Sequence, residues 1–118
     1  MRLVLTALAL TLALPVAAVP TLSWAASFDC NRARAPDEKA ICANTALNDK
    51  DVKMSVLYEV NKRTLAMGGR GVLIDAQQQW LHDRRSCGAN RACLNRAYDR
   101  RLGELERGLE RIYRNGPF

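Results

Sequence analysis

The chain has 118 residues, with 18 Lys and Arg against 12 Asp and Glu, giving a formal net charge of +6. That length allows one domain and little more. With 48% apolar and 25% charged residues, the composition is globular and excludes a disordered tail or a collagen-like fibre.

The first element in chain order is an export segment. Arg2 precedes an apolar stretch from Leu3 to Leu14, followed by Pro15, small residues and Ser23-Trp24-Ala25. The last three fit the small-x-small pattern read by signal peptidase. Residues 1–25 are therefore read as a cleaved signal peptide, with Ala18 the second choice for the cut. Their apolar core of about a dozen residues is short for the ~30 Å of a bilayer interior. The mature form is thus expected to carry no transmembrane anchor, and the lack of any run of about twenty apolar residues in the body of the chain excludes a polytopic membrane protein. The nearest Cys after the cut, Cys30, follows Ser27-Phe28-Asp29, which does not suit lipid attachment. The expectation is a periplasmic or secreted domain over 26–118, with a formal charge of +5 once Arg2 is removed.

From Pro36 onward the chain reads as helix. Pro36 suits a first turn, and Asp37 and Glu38 place negative charge where the helix dipole favours it. This short helix ends near Cys42. Asn44 is a natural N-cap for a second helix to about Ala66, with the apolar stripe Leu47, Met54, Leu57, Tyr58 and Leu65. Gly68-Gly69-Arg70-Gly71 reads as a break. A third helix is predicted over about Val72 to Ser86, with Leu73, Ala76, Trp80 and Cys87 on one side. Gly88-Ala89-Asn90 reads as a stop, a turn and a fresh N-cap. The fourth helix runs from about Asn90 to Tyr113 along Leu94, Tyr98, Leu102, Leu105, Leu109 and Ile112, and Asn115-Gly116-Pro117 ends it. Gly103 and Gly108 lie off that seam and should each weaken the helix by about 1 kcal/mol relative to Ala. No segment alternates with period two, so the fold class is all-α, a bundle of one short and three longer helices.

Four Cys in an exported chain most simply form two disulfides, and three pairings are possible. Geometry favours the local pairs Cys30–Cys42 and Cys87–Cys93. The second could not close within one unbroken helix, where six residues of rise separate the Cα atoms by about 9 Å. The turn at Gly88-Ala89-Asn90 removes that obstacle. Neither spacing suits a structural zinc site and no C-x-x-C redox motif is present, so no metal or cofactor is expected. Each bridge should stabilise the small core by roughly 2–3 kcal/mol.

Three blocks in this order resemble a known family. The first is Phe28-Asp29-Cys30, Ala33, Pro36, Glu38, Ile41-Cys42, Leu47, Asp51 and Tyr58. The second is Gln77, Trp80-Leu81, Arg84 and Cys87. The third is Cys93-Leu94, Tyr98, Arg101 and Leu105. Together they resemble the LprI-type lysozyme inhibitor domain, a family of small exported bacterial helical proteins. The resemblance implies an all-helical, disulfide-stapled domain in the cell envelope and inhibition of lysozyme. Two positions depart from it: the lipid-attachment Cys of the founding type is missing, and Lys50 stands where the family is apolar.

Single residues divide between structural and binding roles. Trp80 and Arg84 lie one helical turn apart, and the apolar stripe assigns Trp80 to the interior, with Arg84 paired to a carboxylate such as Asp51. Arg101 should pair with Asp51 or Glu104. His82 faces solvent with no nucleophile partner, and no phosphate loop is present, so no enzyme is expected and no catalytic residue is assigned. Arg91, Arg96, Arg100, Arg101, Arg107, Arg111 and Arg114 crowd the last helix; the preferred reading is a solvated face partly neutralised by Asp99, Glu104, Glu106 and Glu110. The alternative is an envelope module that binds anionic cell-wall or lipid polymers through that helix; sequence-specific nucleic-acid binding is not expected. For a protein partner, lysozyme or another envelope protein, the candidate contact is Arg70. Its neighbouring glycines would present it at a loop tip, able to enter the carboxylate pair of a lysozyme cleft.

Overall fold

The computed structural model describes residues 26–116, so the expected signal peptide, 1–25, and the last two residues lie outside the described part. A 3-10 turn, Cys30–Arg32, leads into four helices: α1 (Pro36–Cys42), α2 (Thr45–Thr64), α3 (Met67–Ser86) and α4 (Arg91–Asn115). No strand occurs among the described residues. The fold is the all-α, disulfide-stapled bundle that the patterning implies.

Local chemistry sets most of the boundaries. The Asn44 side chain accepts from Leu47 N at 3.0 Å and starts α2, and Asn90 accepts from Cys93 N at 3.0 Å and starts α4. Ala35 offers no side-chain cap, so Glu38 supplies one from inside α1, accepting from Arg34 N and Ala35 N at 3.0 and 3.2 Å. The α3–α4 corner turns at Gly88, whose φ of +54° lies in the left-handed region that a side chain disfavours.

Pairings between helices give the register. Lys50 reaches Asn95 and Asp99, Tyr98 reaches Asp51, and Asn61 reaches Leu105, so α2 and α4 run parallel. Gln77 meets Met54 and Arg101, while Trp80 meets Ala97, so α3 runs antiparallel to both. The core consists of Ile41, Leu47, Met54, Trp80, Leu94, Tyr98, Leu102 and Leu105. Trp80 and Tyr98 pack edge to face with centroids 5.1 Å apart.

Both bridges form as the local pairs. Cys30–Cys42 joins Cα atoms 5.8 Å apart, and Cys87–Cys93 joins Cα atoms 5.5 Å apart across the α3–α4 corner. In this register the two staples gather at one end, where α1, the start of α2, the end of α3 and the start of α4 meet. The opposite end, formed by the end of α2, the start of α3 and the end of α4, carries no covalent tie among the described residues.

One boundary differs from the sequence reading. Gly68-Gly69-Arg70-Gly71 is helical, and the break is the pair Leu65-Ala66. Glycine weakens a helix interior, but Gly68 and Gly69 occupy the first turn, where the leading N–H groups have no helical acceptor to lose. Gly69 also faces Leu65, whose Cδ2 would stand 3.4 Å from an added Cβ.

Candidate partner-binding surface

Most of the motif residues build the interior. Asp37, Asp51, Arg84, Tyr98, Gln77 and Arg101 are all buried. Arg84 Nε donates to Asp37 Oδ2 at 2.9 Å, and its Nη1 lies 3.7 Å from Asp51 Oδ1. Tyr98 donates its hydroxyl to Asp51 Oδ1 at 2.8 Å, and Ser27 N donates to Asp51 Oδ2 at 2.7 Å. The Arg84 guanidinium also lies 5.6 Å from the Phe28 ring centroid and 5.7 Å from that of Trp80. One cation thus ties α3 to α1, α2 and the N-terminal segment. Asp51 contributes as expected, but the nearer carboxylate partner is Asp37.

Further along, Arg101 Nε donates to Gln77 Oε1 and Nη1 to Glu104 Oε2, each at 3.0 Å, so Glu104 rather than Asp51 is its acidic partner. Trp80 donates its indole N–H to Ala97 O at 3.0 Å. Tyr58 and Leu81 are half-buried against the core, and Lys62 sits 5.0 Å above the Tyr58 ring. Lys50 supplies polar links in place of an apolar contact, reaching Asp99 at 2.6 Å and Asn95 at 3.0 Å.

Electrostatics hold the Tyr98 phenol and the Arg84 guanidinium protonated. Burial pushes the Tyr98 phenol well above its ordinary range, and the adjacent Asp51 charge pushes it further, so the hydroxyl remains a donor. Burial works against the Arg84 charge, but the Asp37 carboxylate beside it favours that charge, and the guanidinium is held above its ordinary value. Nothing here is open to a substrate. Among the described residues no three His, Cys, Asp or Glu side chains are grouped to hold a metal ion, and His82 is exposed beside Asp83.

An accessible feature lies at the unstapled end. A groove of about 650 Å³ opens between the first half of α3 and the second half of α4, floored by the end of α2. Leu65, Leu73, Leu105 and Ile112 form its apolar lining, with Arg101, Glu104 and Arg111 as polar members. Val72 stands on its lip with 71% of its surface exposed, and nearby in sequence Met67 is 85% exposed. Ala76, placed by the sequence on the buried side, lines this groove and is exposed.

Arg70 is not at a loop tip. It lies in the first turn of α3, its N–H donates to Ala66 O at 2.8 Å, and its Nη2 donates to Leu65 O at 3.3 Å. The side chain serves the α2–α3 junction by satisfying a carbonyl at the end of α2. The loop expected to present Arg70 is therefore replaced by helix, and the exposed Arg70 side chain is offered from the start of α3.

The groove was hidden from the sequence because Leu73, Leu105 and Ile112 all belong to regular apolar stripes. Only the divergence of α3 from α4 makes the stripes line an opening. Comparison of the chain with protein-family models, curated proteins and solved structures finds no match.

Proposed function

We propose that this is a non-enzymatic, exported protein-binding module of the cell envelope, resembling lysozyme inhibitors, that docks its partner at the unstapled end. The observation that carries the reading is Val72, 71% exposed at the lip of an apolar groove. Small-molecule sites bury most of their ligand inside a concave wall. A trough open along one side, with exposed aliphatic residues beside it, instead suits an apolar side chain or helix projecting from a macromolecule. The two disulfides and the lack of any described helix long and apolar enough to cross a membrane are compatible with export.

Lysozyme as the partner rests on the ordered blocks from Phe28 to Leu105. Animal-type lysozymes are basic, and so is this chain, so long-range attraction does not assist the encounter. Short-range apolar contact would have to supply the affinity, which again favours the groove over a charged insertion. The test is turbidity of a cell-wall suspension under lysozyme while the oxidised protein is titrated in. Stoichiometric protection that survives moderate salt supports the proposal. Undiminished lysis with lysozymes of every class removes lysozyme as the partner.

A further inference from the structure

The groove accounts for the end of the molecule but not for the outer face of α4. Arg96, Arg100, Arg107, Arg111 and Arg114 are all exposed. Their spacings of four, seven, four and three residues place them within an arc of about 60° and along about 27 Å of helix axis. This line lies opposite the buried seam of Leu94, Tyr98 and Leu105.

Of the four acids expected to neutralise these arginines in part, three are paired elsewhere. Asp99 pairs with Lys50 at 2.6 Å and Glu106 with Lys53 at 2.6 Å, both across to α2. Glu104 pairs with the buried Arg101. Among the described residues none of the five outer arginines has a carboxylate within 4.0 Å, and Glu110, the remaining acid of α4, has no ion pair either. Two of the four acids of α4 fasten it to α2 and a third holds Arg101, which leaves the row of guanidinium groups without a carboxylate partner.

We propose that this row is a binding site for a linear phosphate-bearing polyanion. A guanidinium presents paired donors that match phosphate oxygens and stays charged at any physiological pH. A straight row one side chain wide suits a polymer laid along the helix. It suits a bilayer less well: an interfacial helix sinks apolar side chains between the headgroups, and between Arg96 and Arg111 no large apolar side chain of α4 is exposed. The row meets the groove only at Arg111; Arg96, Arg100 and Arg107 do not line it, so a variant at those three tests the row alone.

The experiment measures fluorescence anisotropy of end-labelled linear polyphosphate with the oxidised protein over a range of salt concentrations. Five phosphate contacts predict a slope of log affinity against log salt of about −3.5, falling to about −1.4 in Arg96→Gln/Arg100→Gln/Arg107→Gln. That variant should lose at least about tenfold in affinity at low salt. A charge-matched control, Arg32→Gln/Arg63→Gln/Arg85→Gln, lies off the row and should keep the steep slope. Circular dichroism of both variants checks that the helices persist. Equal losses in the two variants would show that total charge, not the row, binds the polymer, and would overturn the proposal. Weaker binding to phosphatidylglycerol vesicles than to the polymer at equal phosphate supports it; equal or tighter vesicle binding overturns it.

Discussion

Replacing Arg84 by Ala would leave Asp37 and Asp51 buried without their shared cation. Breaking a buried pair in this way costs about 3–5 kcal/mol, which for a domain this small approaches the whole stability of about 5–10 kcal/mol. Arg84→Ala should therefore be largely unfolded or show a sharply lower denaturation midpoint, while Arg85→Ala, exposed next door, should stay near wild type. The glycines give a second contrast. An added Cβ at Gly108 would meet Asn61 Oδ1 at 2.8 Å, and Asn61 is held by bonds to Leu57 O and Leu105 O. Gly108→Ala should destabilise despite its better helix propensity, whereas Gly71→Ala meets nothing within 4 Å and should be neutral or stabilising. Thermal melts of the two variants decide this. The helix caps were readable from sequence because Asn44, Gly88 and Asn90 act within a few residues of themselves. The Arg84–Asp37 pair spans 47 positions, and the need for Gly108 arises from a residue on another helix.

Two pH effects follow from single groups. Backbone donation from Arg34 holds the Glu38 carboxyl below its ordinary 4.5, against a weaker opposing effect of burial. A carboxylate with a lowered native pKa stabilises fully above 4.5, and that contribution fades as pH falls through the lower native value. Tyr98 has the opposite sign: its native pKa is raised above 10.0, so its contribution is complete below pH 10 and is lost as pH rises further. Denaturation midpoints should therefore fall at both extremes. Glu38→Gln should flatten the acid side and Tyr98→Phe the alkaline side.

At the scale of elements, α3 is divided. Its second half supplies Gln77, Trp80 and Arg84 to the core, while its first half, from Met67 to Ala76, contributes half-buried Leu73 and otherwise exposed side chains. Element type and order were legible because the apolar periodicity of α4 is long and regular and Asn44 marks the start of α2. The start of α3 was not, because a run of glycines signals a break by composition alone. Its position in a first turn, with Leu65 packed on Gly69, reverses that meaning. Val72→Asp should leave stability within about 0.5 kcal/mol, as exposed substitutions usually do, yet abolish partner binding at the groove. A melt and a binding titration on the same variant separate these two outcomes.

Across the whole molecule, the covalent ties and the Arg84 network occupy one end and the groove the other, while the arginine row runs along the outer face of α4. The Cys30–Cys42 and Cys87–Cys93 bridges gather the ends of α1 and α3 and the starts of α2 and α4 around the Arg84 network. Beyond Gln77 and Arg101 the groove opens between α3 and α4, while α2 and α4 stay in contact at Asn61 and Leu105. Sequence spacing identified both bridges, but it could not show that they share an end, since that depends on the parallel course of α2 and α4. Local opening should follow the same gradient. Hydrogen exchange of the oxidised protein, followed by mass spectrometry, tests this directly. Amides at 67–76 should exchange well before those at 77–86 and 94–105, which should open only with global unfolding. Uniform protection along α3, or faster exchange at the bridged end, would contradict a bundle fastened at one end and open at the other.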